Sequence, residues 1–92
     1  MEENKPLYHN MMEDIVLRHA DETMAATGGC PCPLCKADVI ACALNRLPPR
    51  YVRTEAGRML VELTATYDNQ FRADVLAALS EAAKLVRENP HH

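Results

Sequence analysis

The sequence predicts an all-α fold of three to four helices with a cysteine-rich turn between the first and the second. Three observations point there. Apolar residues make up 48% of the 92-residue chain while aromatic residues make up only 4%, so a core must be built from Leu, Val, Ala and Met, which favour helices over sheets. Apolar positions recur at spacings of three and four over most of the chain, and nowhere alternate with the period of two that a strand requires. Six of the nine glycines and prolines are gathered at two places, Gly28 to Pro33 and Pro48-Pro49, which divide the chain into helix-sized pieces.

The first helix is carried by Leu7, Met11, Met12, Ile15, Val16, His19 and Met24, one side of an amphipathic helix. Asn4 serves as an N-cap with Pro6 in the first turn, and Gly28-Gly29 end the helix. Pro31 and Pro33 then hold the chain out of helix. The second helix covers roughly Lys36 to Arg46, with Val39, Ile40, Ala43, Leu44 and Leu47 on its apolar side and Asp38 near its positive end; Pro48 and Pro49 stop it. After the extended link Arg50-Tyr51-Val52-Arg53, Thr54 caps the next helix with Glu55 in its first turn.

From there to Glu88 the apolar series Leu60, Leu63, Tyr67, Phe71, Val75, Leu79, Ala82, Val86 stays in phase. Continuous phase argues for one rod; the weak helix formers Thr64, Thr66, Asp68 and Asn69 argue for two helices. A single rod of this length would rise about 45 to 50 Å, more than a chain of this size spans as a globule, and its apolar stripe would need a second subunit.

The chain reads as one domain over residues 1–92, with His91 and His92 taken as the remnant of a purification tag and given no functional weight. It carries a formal charge of −3 and has no apolar run near the roughly 18 residues of a membrane span. Its amino terminus, MEENKPLYHNMMED, lacks the basic and apolar regions of a secretory signal. The expectation is a cytoplasmic protein, where closely spaced cysteines point to metal or redox chemistry before structural disulfides.

Cys30, Cys32, Cys35 and Cys42 read C-x-C-x2-C-x6-C. A structural zinc wants four thiolate or imidazole ligands in a tetrahedron, and prolines hold the tight turns that bring neighbouring sulfurs together. The four cysteines are the candidate ligands. Two of them inside one helix, seven residues apart, would lie about 10.5 Å apart along its axis. Cys35 and Cys42 can therefore share an ion only if Cys35 precedes the first turn; otherwise His19 or a water completes the site. Cys32-Pro-Leu-Cys35 is also a C-x-x-C ahead of a helix, as in disulfide oxidoreductases, but no strand pattern supplies the α/β fold that usually carries that motif, and Cys30 adds a third sulfur.

The second unusual stretch is NRLPPRYVRT, residues 45–54. Arg46, Arg50, Arg53 and Arg58 against Glu55 give residues 45–58 a charge of +3, while the remaining six basic and twelve acidic residues carry −6. Arginine suits bidentate recognition of phosphate and of guanine edges, Tyr51 offers a face for stacking, and two prolines stiffen the link. The pattern fits a small, anionic, flat-based ligand, gripped by an elbow that a metal just upstream would hold in shape. The bland alternative is a solvated set of arginines around a helix link. Long nucleic acid is a poor fit, because one basic stretch on an acidic chain cannot track a phosphate backbone. No nucleophile–His–acid set or glycine-rich phosphate loop can be assembled, so a non-enzymatic protein is expected.

The run CPCPLCKADVIACALNRLPPRYV resembles the ComFB-like late competence family, whose signature carries clustered cysteines in some members, then D-V-x-A-x-A-L-N and L-P-P-x-Y. Here these are Asp38, Val39, Ala41, Ala43, Leu44 and Asn45, followed by Leu47, Pro48, Pro49 and Tyr51. The opening N-x-M-E-x-x-V is similar as Asn10, Met12, Glu13 and Val16, and the ending A-x-x-V-x-x-x-P as Ala83, Val86 and Pro90. The resemblance implies a small all-helical homodimer, intertwined or side by side, with zinc on the cysteines. Members without cysteines, chiefly cyanobacterial, are receptors for cyclic dinucleotides such as cyclic di-GMP and cyclic di-AMP. On that likeness Asn45, Arg46, Arg50, Tyr51 and Arg53 are the ligand candidates, with an unidentified protein partner downstream.

Overall fold

The structure, a computed structural model, describes residues 7–90. The expected cap at Asn4, the first-turn Pro6 and the tag reading of His91 and His92 all fall outside the described residues. Two short strands, β1 (His9–Asn10) and β2 (Tyr51–Val52), accompany four helices, α1 (Met11–Thr27), α2 (Pro33–Arg46), α3 (Glu55–Tyr67) and α4 (Asn69–Glu88).

The first helix starts later than its apolar spacing implies. Asn10, in extended backbone, is the N-cap, its Oδ1 accepting from the Met12 amide at 3.1 Å. Leu7 and Tyr8 lie outside the helix and are exposed. The reason is long-range pairing: β1 runs antiparallel to β2, with His9 opposite Val52 and Asn10 opposite Tyr51. At the other end Gly28 adopts φ 77°, the left-handed conformation, and Gly29 donates to the Met24 carbonyl at 3.0 Å. The helix ends there as its glycines require.

The second helix starts three residues earlier than expected, and Pro33, expected to exclude helix, opens it. Proline at the first helical position loses nothing, since that amide has no intrahelical partner and φ is already set. Cys32 is the N-cap, and the first turn contains no acidic residue, so Asp38 stands beyond it.

The apolar run from Thr54 to Glu88 is broken at Asp68. This residue, at φ −92° and ψ 104°, donates its amide to the Thr64 carbonyl to end α3, while its Oδ1 accepts from the Gln70 and Phe71 amides at 3.0 and 3.1 Å to start α4. One aspartate performs both caps, because a short carboxylate competes with the helix for backbone donors. Propensity prevails over phase, and the rod that would have demanded a second subunit does not exist.

The core lies between α1, α2 and α4. Met11, Met12, Ile15, Val16, Val39, Val75 and Leu79 are almost wholly buried, with Ala20, Ala43, Ala82 and Ala83 allowing close helix approach. α3 lies to one side: Ala65 alone among its residues is buried, and Met59, Leu60, Leu63 and Tyr67 are more than half exposed.

Candidate metal centre and arginine hinge

The turn between α1 and α2 is short because Gly28 reverses the chain and Pro33 begins the next helix at once. Cys30, Cys32 and Cys35 are thereby drawn together, their Sγ atoms all lying within 4.8 Å of one another, with Cys35 buried and the other two half-buried. Sulfurs tetrahedrally bound to zinc at about 2.3 Å would be separated by about 3.8 Å, so small side-chain adjustments bring these three into range, and the group can hold a metal ion. The thiols are unequal. Cys32 Sγ accepts from the Cys35 amide at 3.4 Å, and this bond is the main reason its pKa is lowered. Burial, reinforced by the two neighbouring thiols, pushes Cys35 up to about 12. A divalent cation would relieve that conflict, since one ion stabilises several thiolates in one place. The same inequality, a lowered thiol at a helix N-terminus and a raised one three residues on, also suits dithiol exchange; the third sulfur in the same radius fits a group that could hold a metal.

Cys42 is not part of this cluster. Cys35 is the third residue of α2 rather than ahead of it, so the condition for sharing an ion with Cys42, about 10.5 Å further along the axis, is not met. Cys42 is half-buried and faces the end of α4, lining a shallow depression with Leu85, Val86 and Asn89. His19, half-buried on α1, is also outside the thiol group.

The hinge sits at the other end of α2. Its geometry divides the five residues singled out by charge. Arg50 is tied into the fold: its amide donates to Asn10 Oδ1 at 2.8 Å, its carbonyl accepts from the Met11 amide at 2.8 Å, and its guanidinium stands 4.9 Å from the centre of the Phe71 ring. Tyr51 is exposed and meets Tyr8 edge to face, centroids 5.8 Å apart. Arg53 lines a polar cleft of about 200 Å³ together with Arg58, Tyr8 and His9. Asn45 and Arg46, both exposed at the end of α2, do not line it.

The cleft opens at the N-terminus of α3, where Thr54 Oγ1 caps the Gly57 amide at 3.1 Å. Helix dipole and two guanidinium groups there favour an anion, opposed by Glu55 in the same wall. Arg58 was visible in the sequence only as part of a charge total. Tyr8 and His9 gave no signal, because the pairing that brings them to the hinge is two residues long and has no readable period.

The sequence profile of the family described as "Late competence development protein ComFB" matches residues 9–90. The chain belongs to the ComFB family. It is 31% identical over 80 residues to a Bacillus subtilis (strain 168) protein named "Competence protein ComFB", an alignment covering 87% of this chain and 78% of the relative. It also superimposes on the solved structure of the late competence protein ComFB from Bacillus subtilis with a TM-score of 0.76 at 29% identity, covering 91% of this chain and 92% of that one.

The residues that carry the ComFB resemblance mostly build the fold. Asn10 is a cap, Met12, Val16, Val39, Ala43 and Ala83 are buried, and Val86 packs against the core. The ligand candidates of the hinge, by contrast, are exposed except for Arg50.

Proposed function

We propose that this member of the ComFB family is a non-enzymatic bacterial regulator: a zinc-stabilised helical homodimer of the cytoplasm that binds a cyclic dinucleotide, cyclic di-GMP or cyclic di-AMP, and relays its state to a protein partner, with competence as the process it serves. The observation that carries the ligand part is the convergence of Arg53 and Arg58 on one cleft at the N-terminus of α3, beside the exposed Tyr8–Tyr51 pair. A cyclic dinucleotide presents two phosphates and two flat bases, which match two guanidinium groups and an aromatic edge. The three-thiol group supports zinc. The exposed Met59, Leu63 and Tyr67 on α3 support a second subunit, since this much aliphatic and aromatic surface on one helix is what an interface core requires.

Calorimetry against a panel of cyclic dinucleotides tests the ligand. The expected result is a dissociation constant in the micromolar range or tighter, about −8 kcal/mol or more favourable, lost in Arg53→Ala, Arg58→Ala and Tyr51→Ala while all three variants retain their helical spectrum. Absence of heat with every member of the panel removes the nucleotide. The second reading would then hold: a zinc-stabilised interaction module whose α3 face binds protein, favoured by the same exposed side chains.

A further inference from the structure

We propose that Glu55 selects guanine over adenine in the cleft at the start of α3, which makes cyclic di-GMP the ligand of this protein. The inference rests on the cyclic dinucleotide reading above and deepens it. Arg53, Arg58 and the helix N-terminus favour an anion, yet Glu55 stands in the same wall. Facing a phosphate alone, that carboxylate would only weaken binding. Facing a base, it has a use.

Glu55 is available for such a contact. It is the first residue of α3, directly after the Thr54 cap, and its side chain is 80% exposed. Among the described residues its ion-pair neighbour is Arg58, whose Nε lies 4.0 Å from Glu55 Oε1, beyond hydrogen-bond distance. The carboxylate therefore keeps acceptor capacity on both oxygens. Tyr8, exposed and lining the same cleft, offers a ring on which a base stacks. At about 200 Å³ the cleft is smaller than the pockets that enclose a whole drug-sized molecule. It suits one base with its phosphate, one half of a symmetric ligand.

The two bases differ in what they show to a carboxylate. Guanine presents two adjacent donors on its Watson–Crick edge, N1–H and the 2-amino group, which the two oxygens of one carboxylate meet together. Adenine presents one donor, the 6-amino group, beside N1, whose lone pair faces a carboxylate oxygen with no proton between them. Guanine thus gains a bidentate contact where adenine leaves an unpaired acceptor against a negative charge. The phosphates are the same in both ligands, so Arg53 and Arg58 do not discriminate between them.

Calorimetry of the full chain with cyclic di-GMP and with cyclic di-AMP, for the parent and for Glu55→Gln, tests this. The parent should bind cyclic di-GMP about tenfold or more tighter, the discrimination of one bidentate base contact. In Glu55→Gln the carboxamide offers one acceptor and one donor, a pair that either base satisfies. Cyclic di-GMP should weaken, cyclic di-AMP should not, and the two affinities should approach each other. A parent whose affinities differ by less than about tenfold, or that prefers cyclic di-AMP, overturns the inference and leaves the cyclic dinucleotide reading in place. So does a variant with the parent's ratio, including one that binds both ligands more tightly by the same factor, as expected of a carboxylate that merely repels phosphate. A parent that binds neither ligand overturns the cyclic dinucleotide reading itself, and the inference with it.

Discussion

Replacing Asn10 by alanine isolates the device that holds the hinge to the helical core. The Asn10 carboxamide oxygen accepts two amides, that of Met12 at 3.1 Å and that of Arg50 at 2.8 Å. The first is an N-cap, and its loss costs about 1 kcal/mol. The second leaves a partly buried amide without its partner, at the low end of the penalty for such groups, again about 1 kcal/mol. The sum is about 2 kcal/mol. Unfolding entropy is about 2.1 cal/mol/K per residue, so a chain of 92 residues has roughly 0.19 kcal/mol/K, and Asn10→Ala should melt about 10 °C lower. The melt is followed by circular dichroism at saturating zinc and fixed protein concentration, because metal and subunit association both move a midpoint by mass action. Asn10→Asp keeps an acceptor at the same reach and adds a charge that suits a helix N-terminus, so it should stay within about 3 °C of the parent. An alanine variant that melts within about 3 °C of the parent, or an aspartate variant that falls as far as alanine, refutes the two-bond reading.

Two further outcomes are expected. A strong chelator should lower the melting temperature sharply, as should Cys32→Ser, because a structural ion contributes folding free energy directly; an unchanged melt after verified metal removal would contradict this. The Arg18–Glu62 pair, bidentate at 3.1 and 2.9 Å, makes a small pH-dependent contribution. The hydrogen bond from Arg18 holds the Glu62 carboxyl below its usual range; a lowered folded-state pKa stabilises above the ordinary carboxylate value, and that stability is lost as pH falls through the folded value. Both side chains are more than a third exposed, so the effect is about 0.5 kcal/mol, and Glu62→Gln should cost that much near neutrality and almost nothing near pH 3, measured by urea denaturation.

What could be read from the sequence follows from the range of the forces involved. Caps and terminators are local, so Gly28, Pro48-Pro49 and Thr54 end or begin helices where expected. The C-x-C-x2-C spacing is also local, and its three sulfurs do converge. Cys42 was ambiguous because its position depended on whether Cys35 entered the helix, a matter of one turn. The start of α1 was misplaced because Leu7 fits the helical spacing, while the competing β1–β2 pairing links residues some forty positions apart. Charge finds the hinge but does not tell which of its arginines the fold holds, for the same reason. Arg50 looks like its neighbours in sequence, yet Asn10 and Phe71 from two distant elements hold it.

That placement also revises how metal and hinge can be connected. In sequence the cysteines stand just ahead of the arginines, and an ion there would seem to brace the elbow. In the fold α2 separates them: Cys35 and Arg46 are eleven residues apart on one helix, about 16 Å along its axis. Each end of the three-helix core has its own fastening. At one end the cysteine turn and the Arg87–Thr27 contact join α1, α2 and α4; at the other, Asn10 binds the hinge to α1, and Arg50 over Phe71 binds it to the first turn of α4. An ion on the thiols would therefore act on the hinge through the stability of the shared helices and not by direct contact. Its loss would lower the temperature at which the core unpacks, while a core that remained folded would keep Arg53 and Arg58 at their cleft.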